Sequence, residues 1–196
     1  IFFSNLFQKL YNAVDSLIVG NFIGDDALAA VGSSGSLIFL LTGFVNGVSL
    51  GAGVLVARYF GAKDDAALKK AVHTTVALGI AAGLALTVVG VLLTPQILRW
   101  MGTPENVMDN SVVYFRGYFM GCLAVVLYNV GASILQSVGD SRSPMVYLIV
   151  ASLLNVVLDL VFVAVLGMGV GSAAFATIIS QIVSALLAFR KLGRAA

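Results

Sequence analysis

Between Lys70 and Arg99 the chain contains no Lys, Arg, Asp or Glu, and most of the residues there are aliphatic. A helix needs roughly 20 consecutive apolar residues to cross the hydrocarbon core of a bilayer, so a stretch of this kind reads as a membrane span. Five further apolar runs share its character, each separated from the next by charged or turn-rich residues. Composition agrees: 60% of residues are hydrophobic, 10% are charged and the mean hydropathy is +1.03. A soluble domain of this size could not cover its surface with so few charges. The expected fold class is an all-α integral membrane protein, a six-helix transmembrane bundle. Its single lobe covers residues 1–196, with spans near 1–22, 26–59, 70–93, 111–138, 144–166 and 171–189.

Breaks between the runs refine this picture. Pro144 suits the first turn of the fifth span, where its missing N–H is harmless. Pro95 and Pro104 are expected in the loop between the third and fourth spans. Trp100, a residue that favours the membrane interface, is expected there too. Lys and Arg counts then orient the bundle. Arg58, Lys63, Lys69, Lys70, Arg142, Arg190, Lys191 and Arg194 fall at one set of ends, and only Arg99 and Arg116 at the other. The expectation is a multi-pass protein of a bacterial-type cytoplasmic membrane with both termini in the cytoplasm. A net charge of +2 is too small to argue for a nucleic-acid partner, and the single Cys122 excludes an intramolecular disulfide and a multi-thiolate metal site. No cofactor is expected. The chain opens in mid-pattern at Ile1, so the true start is expected to precede it.

Polar side chains inside the runs fall at helical spacing. Gln8, Asn12 and Asp15 follow i, i+4, i+7 on the first span, with Tyr11 beside them. Tyr114, Tyr118, Cys122 and Asn129 make a line on the fourth, and Ser152, Asn155 and Asp159 on the fifth. Thr177, Gln181 and Ser184 repeat the pattern on the sixth. Each stripe occupies one side of its helix. Lipid cannot satisfy such groups, so they should face one another or a wet cavity. Neutral hydroxyls and amides there are ordinary glue between helices. The acids are different: an ionised carboxylate at mid-membrane costs about 3 kcal/mol even on the lenient scale, and glue needs no charge. Asp15, Asn155 and Asp159 are therefore read as a site for a proton or a small hard cation such as Na⁺. Gln8, Tyr11, Asn12, Tyr118 and Gln181 are read as cavity lining. Lys9 is read as a residue that snorkels to the interface.

Small residues add a mechanical expectation. Gly43, Gly47 and Gly51 form a ridge at i, i+4, i+8, with Gly35 on much the same face, and Gly79, Gly83, Gly117 and Gly121 sit on later spans. All are expected at close helix–helix contacts. The stretch GVSLG at 47–51 matches the pattern of a nucleophile elbow. It lies inside a long apolar run, without the strand and the acid and histidine partners that the elbow needs. His73, the only histidine, reads as a solvated interfacial residue beside Lys69 and Lys70. The chain is not read as an enzyme.

The segments LYNAVDSLIVGNFIGDDALAAVG, GAGVLVARYFGAKD, SILQSVGDSRSPM and NVVLDLVFVAVLGMGVGSAAFATIISQ, in this order, resemble the N-terminal half of the multidrug and toxic compound extrusion (MATE) family. The resemblance implies one six-helix lobe of a twelve-helix transporter of the MOP superfamily. It also implies export of amphipathic, often cationic compounds against entry of H⁺ or Na⁺. It maps the family's N-lobe cation site onto Asp15, Asn155 and Asp159, with supporting roles for Tyr114, Asn129 and Thr177. Lys9 falls where a neutral polar residue is more usual. Six spans are half of what the family needs, so the expected partner, besides substrate and bilayer, is a second lobe: a missing half or a second copy. Two other functions were weighed. A lipid-linked oligosaccharide flippase of the same superfamily should line its cavity with basic residues, of which Lys9 is nearly alone. A non-transporting scaffold should show no ion dependence.

Overall fold

The computed structural model describes residues 6, 9–10, 13–14, 16–18, 20–21 and 35–195, and all the regular structure among them is helical. The order is α1 (Gly35–Gly61), α2 (Asp65–Trp100), α3 (Glu105–Met120), α4 (Cys122–Ser137), α5 (Arg142–Asp159), a π-helical turn (Leu160–Val165) and α6 (Val170–Ala195). α1, α2, α5 with its π turn, and α6 are each long and apolar enough to cross a membrane. α3 and α4 meet at Gly121 with a bend of 42° and together make a fifth, broken span. The expected first span, and the start of the second, fall largely outside the described residues. Ile18 is buried there, whereas Leu17 is exposed.

Three boundaries differ from expectation. Pro95 lies inside α2, which runs on to Trp100 instead of ending near residue 93. Proline removes one backbone hydrogen bond from a helix but does not end it where packing and side chains re-satisfy the turn. The carbonyl that loses its donor is that of Val91; the neighbouring Thr94 hydroxyl donates to the Gly90 carbonyl at 2.6 Å. At about 1.5 Å per residue α2 spans ~54 Å, well beyond a hydrocarbon core of ~30 Å, so its ends project past the lipid. The fourth span is two helices hinged at Gly121, not one. The basic tail Arg190, Lys191, Arg194 continues α6 as helix, where cations suit the C-terminal end of the dipole.

Helix ends are closed by the same device three times. After α1, α2 and α4 the chain turns through a left-handed residue: Lys63 (φ 55°), Gly102 (φ 70°) and Gly139 (φ 92°). The next amide then reaches back to the helix: Asp64 N to Tyr59 O at 3.2 Å, Thr103 N to Leu98 O at 3.2 Å, and Asp140 N to Leu135 O at 2.9 Å. This geometry satisfies carbonyls that would otherwise lack partners. Asp140 goes on to cap α5. Its carboxylate accepts from the Ser143 amide at 3.0 Å and the Ser143 hydroxyl at 2.6 Å, and lies 3.8 Å from Lys191 on α6.

Those contacts hold the Asp140 carboxyl below its ordinary pKa, the Ser143 hydroxyl first among the causes and Lys191 a lesser one. A depressed acid adds stability that is present above its unfolded pKa, about 3.9, and is lost as pH falls through the lower folded value. The thermal stability gap between the native protein and Asp140→Asn should therefore be open at pH 7 and close at pH 3. A gap that does not narrow would show that the carboxylate charge plays no part. The group is partly exposed, so the gap should be small.

α4 is the hub of the bundle, packed against α1, α2 and α6; α3 lies on α2 and α6, and α5 on α6. Val45, Val56, Ala71, Val126, Val130 and Ile134 form the core between α1, α2 and α4. Backbones approach closely there because hydroxyls replace bulk. Ser133 donates to the Ser49 carbonyl at 2.6 Å and Ser137 to the Gly53 carbonyl at 2.8 Å. A Cβ on Gly53 would collide with the Ser133 hydroxyl. Gly79, Gly83, Gly117 and Gly121 are likewise pressed against Val130, Leu123, Ala174 and Ile178. Around the ridge Gly43, Gly47, Gly51, and around Gly35, nothing among the described residues lies within 4 Å of where a side chain would be. The buried face of α1 is instead Val45, Ser49, Gly53 and Val56.

Candidate functional site

α5 presents Leu148, Ala151, Asn155 and Asp159 on its buried side, one turn apart. Asp159 is 0% exposed and Asn155 is 1% exposed, which makes them the most enclosed acid and amide among the described residues. Burying a carboxylate without compensation would be costly, so its neighbours decide its chemistry. Asn155, one turn back, points its amide nitrogen at Asp159 Oδ2, 3.2 Å away. The opposite amide orientation would set oxygen against oxygen, which the carboxylate rules out. The Asn155 oxygen then accepts from the Thr177 amide at 3.2 Å and the Thr177 hydroxyl at 3.1 Å, joining α5 to α6. Thr177 has a second acceptor for its one hydroxyl proton, the Ala173 carbonyl at 3.1 Å. The cluster is thus an acid held by a neutral amide, with a hydroxyl that can turn either way. The ion pair among the described residues, Asp140–Lys191, lies at the other end of α5.

Two small pockets flank this cluster and share Thr177 and Gln181. One is lined by Tyr114, Tyr118, Gly121, Val125, Ala174 and Ile178 together with them. The other is lined by Leu148, Ala151, Ser152, Asn155 and Ser180 together with them. Gly121, where α3 and α4 meet at 42°, lines the first pocket beside Tyr114 and Tyr118. Gln181 is buried at the junction. Oxygen donors and one acid, without thiols or imidazoles, suit a proton or a hard monovalent cation and not a soft transition metal.

Expected site residues divide as follows. Asn155, Asp159 and Thr177 meet. Tyr114, Tyr118 and Gln181 line the adjoining pocket. Asn129 is half-buried and donates to the Val125 carbonyl at 2.8 Å on its own helix, a bond that ties it to α4. Cys122 leaves the tyrosine line: each i+4 step drifts by about 40° around a helix, and two such steps carry Cys122 into the cluster of Leu98, Phe115 and Phe119 facing α2. Asp15, Gln8, Tyr11 and Asn12 lie outside the described residues. Lys9 is described and exposed, as is His73, whose Nδ1 lies 2.8 Å from the Lys69 carbonyl. Ser49 lies in the interior of α1, buried against α4. Ser180 and Gly121 are pocket residues that sequence reading passed over. Ser180 sits between Thr177 and Gln181 on the same helix, so the spacing was there to read; the bend was not.

Comparison with known proteins places this geometry. A family model described as MatE matches residues 1–161. The chain is 38% identical over 190 residues to the probable multidrug resistance protein YoeA of Bacillus subtilis, a match covering 94% of this chain and 41% of that protein. It is 29% identical over 181 residues to the probable multidrug resistance protein YpnP of the same organism, covering 92% of this chain and 41% of that one. It superposes with a TM-score of 0.90 and 29% identity on an outward-facing multidrug resistance MATE family transporter of the MOP superfamily, covering 97% of this chain and 42% of that one. The chain spans about two-fifths of the length of these relatives.

Proposed function

The chain belongs to the MatE family, and on that premise we propose that it is the N-terminal lobe of a cation-coupled antiporter that exports amphipathic, often cationic organic compounds. In this reading Asp159 carries the exchanged H⁺ or Na⁺. Asn155 presents it with a neutral partner, and the Thr177 hydroxyl supplies a second oxygen. Asp15, Tyr114 and Asn129 are assigned to the same coupling site. Gln8, Tyr11, Asn12, Tyr118 and Gln181 are assigned to the surface that substrate meets. The protein sits in a bacterial-type cytoplasmic membrane with both termini inside, and its partner is a second six-helix lobe.

One observation carries the reading: an acid of zero exposure sits inside an apolar bundle, held by an amide and beside polar pockets. A buried charge adds no stability that Asn or Ser could not supply at lower cost, so its retention points to ion exchange. Coupling follows if the cavity reaches Asp159 from one side of the membrane at a time. Ion binding from outside would then favour one state of the lobe, and substrate binding the other.

The test is efflux from vesicles under imposed pH or Na⁺ gradients, for this chain with and without a second lobe. Transport that follows one gradient and collapses with it supports the proposal. Efflux indifferent to both gradients would sink it. Asn155→Ala offers a finer check. It keeps the acid but removes an amide donor that favours the ionised carboxylate, so the H⁺ concentration for half-maximal efflux should shift downward by roughly tenfold or more, the worth of one hydrogen bond of about 1.5 kcal/mol to a charged group. The maximal rate should fall less.

A further inference from the structure

We infer that the paired ends of α5 and α6 form a binding surface for anionic phospholipid headgroups. The outward stripe of α5 is Val146, Val150, Leu153 and Val157, all exposed, and stepping back one turn from Val146 reaches Arg142. The outward stripe of α6 is Phe175, Ile182 and Leu186, also exposed, and stepping on in turns of four reaches Arg190 and then Arg194. Two bare apolar faces therefore end in exposed arginines, and they end at the same side of the bundle. Contact between Asp140, just before α5, and Lys191, on the last turns of α6, fixes that proximity.

Charge balance there is one-sided. Asp140 is the one carboxylate at these two helix ends, and it is already engaged by Ser143 and Lys191. Arg142, Arg190 and Arg194 form no ion pair among the described residues. Arg142 also sits on the first turn of an 18-residue helix, where the dipole adds to its positive potential. An anion docked at that end is stabilised by both. The apolar stripes immediately beside the arginines select an anion that carries acyl chains, because each buried CH₂ adds to binding while a free phosphate gains nothing from them. Cations near an anionic leaflet contribute individually and additively to first order.

The probe is phosphatidylglycerol, with phosphatidylcholine and soluble glycerol phosphate as comparisons, titrated onto the detergent-purified chain and followed by mass spectrometry of the intact complex. The native protein should retain phosphatidylglycerol in preference to phosphatidylcholine. The triple variant Arg142→Gln, Arg190→Gln, Arg194→Gln should bind phosphatidylglycerol on the order of a hundredfold more weakly, with phosphatidylcholine binding unchanged. The triple Arg→Lys variant should bind it as the native protein does, which separates loss of charge from loss of fold. Lys69→Gln with Lys70→Gln, on the α1–α2 side, should leave it untouched. Equal retention by the triple Gln variant would overturn the proposal. So would loss in the triple Lys variant, an equal loss in the Lys69/Lys70 variant, or competition by glycerol phosphate as effective as by the lipid.

Discussion

Replacing Asp159 by Asn is expected to abolish gradient-driven efflux while the protein remains folded and membrane-inserted. The substitution is nearly isosteric, and an Asn oxygen can still accept from the Asn155 amide now 3.2 Å from Asp159 Oδ2. What disappears is the charge and the capacity to release and rebind a proton. Removing a mid-membrane charge relieves a cost of about 3 kcal/mol on the insertion scale, so melting in detergent should hold or rise. Efflux should fall by at least about tenfold, since the coupling site then keeps only one of the two acids assigned to it, Asp15. Asp159→Glu keeps the charge on a longer arm in a fully enclosed space and should give an intermediate rate. Normal efflux by Asp159→Asn at native expression levels would remove Asp159 from the mechanism. A collapse in melting temperature would instead assign it a structural role.

Membrane insertion, the class of fold and half of the site were legible because each rests on a local rule. The uncharged run between Lys70 and Arg99 needs only its length to be read as a span. Asn155 and Asp159 stood out because acids are expensive in lipid and because i+4 spacing fixes a common face, whereas Thr177 was marked as a site residue only by the family resemblance. Features set by neighbours did not show. Pro95 reads as a breaker, yet α2 passes through it, because a proline costs a helix one bond and does not forbid it where the surrounding helix is packed. The ridge Gly43, Gly47, Gly51 and the set Gly79, Gly83, Gly90 look alike in sequence. Their three-dimensional neighbours tell them apart: Val130, Leu123 and Phe119 crowd the second set, and no described residue lies within 4 Å of the first. Cys122 went astray through accumulated drift over two turns, and the hinge at Gly121 further separates the two halves of that span.

That contrast among glycines yields substitutions of opposite sign. Alanine for glycine in a helix interior ordinarily gains about 0.5–1 kcal/mol, because the glycine backbone loses more freedom on folding. At Gly47 nothing among the described residues lies within 4 Å of the new methyl, so Gly47→Ala should hold stability or raise it. At Gly90 the methyl would be driven into the ring of Phe119. That ring has nowhere to go: Phe119 is 3% exposed, lies 6.2 Å from the ring of Phe115, and packs in the cluster with Leu98 and Cys122. Overpacking of this kind costs about 1–3 kcal/mol, which outweighs the helical gain. Gly90→Ala should therefore lower the melting temperature by several degrees, at roughly 2–4 °C per kcal/mol for a chain of this size. Gly90→Leu should lower it further. The lone thiol reports the transition directly, since Cys122 is buried between α2 and α3 and reacts with a maleimide dye only as that contact opens. If Gly90→Ala melts at or above the native temperature, α2 and α3 do not meet at Phe119 in the way that closes this side of the bundle.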